Sequence, residues 1–194
     1  HMPDIRDWVH WWACPWSRSQ HPWVAFDLNS PTSLALCRGR HELISRALGI
    51  TPCLPIQPSA ALLRMVLAPP EQQALMLTLV DGIYHPQRDT ALNHDQRQWC
   101  ARLSMALPSS SRQPGEDPLH HLRAWVDHTV WQRLRLSFAR RRVLELESQY
   151  LPQVGSKLDT VWQAVIWRAT AAAEDDFHAA PSGVPPHHVM PTQD

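Results

Sequence analysis

The residues of this chain equipped for chemistry are its 12 histidines, its 4 cysteines and a few clustered carboxylates. A structural zinc needs thiols or imidazoles at short paired spacings. Cys14, Cys37, Cys53 and Cys100 do not offer this: no two are separated by two residues, and none adjoins a histidine pair in zinc-finger spacing. With no export signal, they read as reduced, buried or inert thiols. The HxxxH and HExxH spacings that set two imidazoles on one helical face are absent, and His41-Glu42 runs into apolar residues instead of a second ligand. His120-His121 and His187-His188 therefore read as surface or capping histidines.

Nucleophile and phosphate motifs are also missing: there is no GxSxG elbow, no GxxxxGK[ST] loop and no GxGxxG turn. Glu145 and Glu147 diverge on a helix, and neither Asp4/Asp7, Glu116/Asp117 nor the 174–176 acids come with a base at a shared centre. The expectation is no catalytic, cofactor-binding or metal-ligating residue, and a protein that works by binding.

Binding chemistry is better represented. Arg140-Arg141-Arg142 follows Arg133 and Arg135, and the chain carries 10 tryptophans, five of them within the first 23 residues (Trp8, Trp11, Trp12, Trp16 and Trp23). Exposed arginine and tryptophan are the residue types that dominate protein interfaces. Arg140, Arg141, Arg142, Trp11, Trp16 and Trp131 are the candidate partner-binding residues, with core packing as the competing role for the indoles. Glu145 lies one helical turn from Arg141, so part of the basic run has an internal partner within reach. A helical nucleic-acid-binding regulator using Arg133–Arg142 is the alternative. Lys+Arg 18 against Asp+Glu 18 gives zero net charge, which weighs against phosphate-dominated binding.

The elements that must position these residues read as helices. A chain of 194 residues, 44% hydrophobic and 19% charged, has globular composition and the size of one domain. Its apolar runs reach only about ten residues, half of a membrane span, and the start lacks a signal peptide's cationic and apolar regions. A cytoplasmic protein is expected.

A helix over 4–13 would align Ile5, Trp8 and Trp12 and end at Cys14-Pro15. Ser30-Pro31 opens a second, closed by Gly49. Three prolines make 51–58 an extended connector. Ser59 caps a helix facing inward through Ala60, Leu63, Val66 and Leu67, and Pro70-Glu71 starts another that ends near Asp81-Gly82. Residues 91–107 form an amphipathic segment. Between Pro118 and Pro152 the pattern predicts one uninterrupted helix of about 32 residues, roughly 45 Å long. A last helix covers about 156–173. The expected fold is all-α: one irregular multi-helix domain over 3–180, with an exposed loop at 108–118, a long helix in its C-terminal half and a flexible tail at 181–194.

Two stretches carry a family resemblance. Leu54-Pro55-Ile56-Gln57-Pro58 with the Leu-rich helices up to Leu79-Val80, and the string Gln98-Trp99-Cys100-Ala101-Arg102-Leu103-Ser104-Met105-Ala106-Leu107-Pro108, resemble the sorting-platform adaptors of bacterial type III secretion (the SctK, YscK, PscK and OrgA family, with a plant-pathogen Hrp relative). The likeness spans about 54–108. It implies a non-enzymatic, mostly helical cytoplasmic adaptor without cofactors, peripheral at the inner-membrane base of the apparatus. Its implied partners are the pod (C-ring) protein and the cytoplasmic domain of the inner-membrane ring.

Overall fold

The computed structural model describes residues 3–23, 31, 39–108, 116–149 and 155–178. They form nine α-helices: α1 (Ile5–Ala13), α2 (His41–Ala47), α3 (Ala60–Leu67), α4 (Pro70–Tyr84), α5 (His94–Ser104), α6 (Leu119–Trp125), α7 (His128–Leu134), α8 (Arg140–Glu147) and α9 (Leu158–His178). Short 3-10 turns at Pro15–Arg18 and Arg135–Ser137 complete them. The fold is all-α, with no strand among the described residues, and no described helix is long and apolar enough to cross a membrane.

Helix starts follow the local chemistry. Asp4 accepts from the Arg6 N–H, Ser59 from Leu62 and Asp127 from Thr129, each satisfying a first-turn donor. Asn93 and Gln96 form a reciprocal capping box on α5. Gly49 ends α2 at φ +74, where an added Cβ would stand 2.7 Å from a guanidinium nitrogen of Arg135. A Gly49→Ala variant is expected to lose roughly 1–2 kcal/mol of stability, read as a lower midpoint in urea at unchanged m-value. The Ser30 start of that helix, and Leu34, Leu36 and Cys37 on its stripe, lie outside the described residues.

Tertiary packing chose which helical faces are buried. In α1 the inward residues are Trp8, Trp11 and Trp12, while Ile5 is exposed. In α3 they are Ala61, Leu62, Met65 and Val66. The predicted α3 face of Ala60, Leu63, Val66 and Leu67 is thus rotated by about one residue, because α3 is gripped from two sides, by α1 and α9. Helix α4 does not stop at Gly82 but runs to Tyr84. A Cβ at Gly82 would sit 3.0 Å from Leu92 and 3.2 Å from the Cys100 sulfur. The glycine there lets α5 approach closely instead of ending the helix.

The single helix predicted between Pro118 and Pro152 is corrected to three: α6, α7 and α8. Val126 and Phe138 are extended, and Asp127 caps the restart after the first break. A straight 45 Å rod would strand most of its apolar residues beyond so small a body. Bent twice, the segment buries Leu119, Leu122, Val130, Trp131, Leu134, Leu136, Phe138, Val143 and Leu146. The long helix in the C-terminal half is instead α9, with 21 residues, close to the expected last helix. Its Val161, Trp162, Val165 and Ile166 complete a core shared with α1, α3 and α4, and Trp16, Leu48, Ile50 and Leu136 form a smaller satellite cluster. The proposed tail at 181–194 and most of the 108–118 loop lie outside the described residues.

Candidate functional site

Three of the predicted partner-binding residues are interior. Trp11, Trp16 and Trp131 expose only 1%, 3% and 2% of their surface, so these indoles pack the core and offer nothing to a partner. The arginines divide. Arg142 is engaged by Asp117 through two short bonds of 2.7 and 2.6 Å. Arg140 and Arg141 are exposed on α8, and Arg141 makes the predicted i,i+4 pair with Glu145 at 3.3 Å. The two upstream arginines of the nucleic-acid alternative are structural. Arg135 binds Glu147 at 2.7 Å and the Leu48 carbonyl at 2.6 Å. Arg133 is buried and donates to the carbonyls of Trp12, Thr51 and Thr129. Only two arginines of that stretch face solvent free of a buried role, too few for a phosphate-tracking surface.

The histidines and carboxylates also fall otherwise than expected. His120 and His121 are buried, not superficial. The His121 ring stacks on Tyr84 at 3.9 Å and lies 3.3 Å from the Glu116 carboxylate. Arg88 ties the Asp81 carboxylate at 2.7 Å to the Glu116 carbonyl, while Asp117 accepts from the Leu119 N–H at the start of α6. His120 meets Gln149 at 2.9 Å. This network fastens residues 116–121 to α4 and α8. It does bring an acid and a base together, which the spacing of Glu116 and His121 alone concealed. Neither lines the neighbouring groove of about 410 Å³ between α4, Pro118 and Phe138, where Asp81 and Arg142 are already paired. Among the described residues no three metal-ligating side chains converge.

Burial alone would raise the carboxyls of Glu116 and Asp117. Burial is the largest single influence on each, but His121 with the charges of His120 and His85 at the first, and the bonds from Arg142 and the Leu119 N–H with the charges of Arg142 and His120 at the second, together outweigh it and leave both below the usual carboxylate range. His85 is lowered chiefly by burial, with Arg88 adding to it. All three groups hold protons more weakly in the folded chain, so stability rises with pH through their titration. It should decline first below 6.5, as the unfolded His85 charges, and again below about 4.5, as the unfolded carboxyls protonate. The melting temperature is expected to be lower at pH 4 than at pH 7, and Glu116→Gln should shrink that difference. Tyr84, pushed up to about 12 by burial and then by Glu116, stays protonated throughout.

The surface feature that stands out is the strap formed by residues 51–58. Pro52, Pro55 and Pro58 fix φ at every third position and bias Thr51, Leu54 and Gln57 toward extended conformations. Its backbone is pinned from beneath. Trp12 Nε1 donates to the Cys53 carbonyl at 2.9 Å and Trp8 Nε1 to the Ile56 carbonyl at 3.1 Å. At Thr51 the N–H donates to the Gln132 side chain at 3.0 Å, and the carbonyl accepts from Arg133 at 3.0 Å. Ser59 then begins α3. Above this anchorage the side chains stand in water: Leu54 is 88% exposed, Cys53 is exposed and Ile56 is 38% exposed. Sequence reading found the connector but not its fixation, since nothing in the spacing of Trp8, Trp12 and Arg133 shows that they reach it.

The resemblance string 98–108 is divided, with Gln98, Ala101, Arg102, Met105, Ala106 and Pro108 exposed and Met105 85% so. Cys100 and Leu107 are buried, and Leu103 packs against the core. Both family-like stretches reach the surface, and the strap is the one whose exposed leucine sits on a backbone held by side chains of other elements. Comparisons with protein-family models, with curated proteins and with solved structures find nothing that matches this chain.

Proposed function

We propose that this chain is a non-enzymatic docking adaptor of a bacterial type III secretion system, joining the cytoplasmic face of the inner-membrane ring to the pod protein of the sorting platform. One observation carries the docking part. The strap is held at four backbone points, yet it displays Leu54 almost wholly to solvent. A pinned, uncharged, apolar segment has already lost the conformational freedom that binding would otherwise cost, a suitable state for a recognition element. The secretion context rests on the resemblance of 54–58 and 98–108. Support for a non-catalytic role comes from the enclosure of Glu116 and His121 and from the pairing of the charges around the groove.

The test uses the purified chain with the pod protein and with the ring's cytoplasmic domain from the same bacterium, mixed pairwise and together. A complex with either protein on size exclusion, and a ternary complex with both, is the expected result. If neither binds while duplex DNA does, with a steep salt dependence, the nucleic-acid regulator replaces this reading.

A further inference from the structure

We infer that the 51–58 strap is a polyproline-type ligand, and that its docking partner offers a groove lined by aromatic side chains with an apolar pocket for Leu54. The inference rests on the adaptor reading above and specifies its contact. Two carbonyls three residues apart, those of Cys53 and Ile56, both point to α1, where Trp12 and Trp8 bind them. In a β-strand the side of the chain alternates with period two, so positions i and i+3 face opposite ways. In a polyproline II helix the repeat is three residues, so i and i+3 share a ridge. The prolines at 52, 55 and 58 keep the same period.

One side of the strap is therefore already read by indole N–H groups, in the mode by which proline-rich ligands are recognised. The outer side presents Leu54, and no donor among the described residues reaches the carbonyls of Leu54 or Pro55. Prolines at three of eight positions remove the N–H groups that an added β-strand would need. No charge lies between Thr51 and Pro58, so the complementary surface is apolar and aromatic instead of ionic. That sets this contact apart from the exposed Arg140 and Arg141 of α8.

The measurement is the affinity of the full chain for the pod protein and for the ring's cytoplasmic domain by calorimetry, with three variants. Leu54→Asp puts a charge on an almost fully exposed side chain, so the fold should melt as the wild type does while binding weakens about tenfold or more. Pro55→Ala keeps Leu54 but frees φ, and should weaken binding about threefold through lost preorganisation. Arg140→Glu with Arg141→Glu should leave the strap contact intact. In the wild-type complex the exposed Cys53 thiol should also be shielded from maleimide. A wild type that binds neither protein overturns the strap and the adaptor reading together. A wild type that binds, with Leu54→Asp binding equally well, overturns the strap alone. A complex that depends on Leu54 but is indifferent to Pro55 overturns the polyproline mode.

Discussion

Replacing Arg133 with methionine is expected to remove roughly 3–5 kcal/mol of stability. Its guanidinium lies 3% exposed and donates to Trp12, Thr129 and Thr51 at 2.9, 2.8 and 3.0 Å, with the Trp12 ring 4.0 Å beneath it. Among the described residues no carboxylate pairs with it, so the charge is solvated by backbone dipoles and one indole face. Methionine fills much of the volume but satisfies none of these acceptors. Three elements come apart together: the end of α1, the first turn of α7 and the start of the strap. For a domain of this size the loss corresponds to a fall in melting temperature on the order of 10 °C. Arg133→Lys should recover only part of it, because one ammonium cannot reproduce the planar fork. A variant that melts within about 2 °C of the wild type would show that the three carbonyls find other donors.

Trp8→Ala should be comparably damaging, at roughly 3–5 kcal/mol. The indole is 1% exposed, packs 5.2 Å from Trp11 and 5.8 Å from Trp12 between ring centroids, and holds the strap through Ile56. The informative companion is Trp8→Phe, which keeps an aromatic ring but deletes the N–H. It should cost about 1–2 kcal/mol and loosen the strap specifically. Amide order parameters at Leu54 and Ile56 should fall while those in α4 and α9 hold. Unchanged order in the strap would mean that the prolines alone keep it rigid. Trp11→Ala and Trp131→Ala should act on stability in the same way as Trp8→Ala, as befits residues of the core.

What could be read from the residues was whatever is decided within a few positions. Asp4, Ser59 and Pro70 begin helices because a cap or a fixed φ acts on its own first turn. Gly49 ends one because only glycine takes a positive φ without strain. The Arg141–Glu145 pair follows from a separation of four residues on one helix. Periodicity failed where burial comes from several directions: Leu63 was a reasonable inward residue for α3 until α1 and α9 closed on a neighbouring stripe. Residues 119–149 carry a continuous helical pattern, and only the need to wrap the core makes Val126 and Phe138 bend it.

The candidate site divides along the same line. By itself the sequence determined an all-α chain, a proline-stiffened connector at 51–58 and no motif for a cofactor. Tertiary structure decided that Trp11, Trp16 and Trp131 are core, that Arg133 and Arg135 are internal fasteners, that Glu116 meets His121, and that Trp8 and Trp12 hold the strap with Leu54 outward. The reason is range. Caps and proline act within one turn, whereas the bonds that hold the strap join residues 41 to 82 positions apart, and only the folded packing brings those partners together.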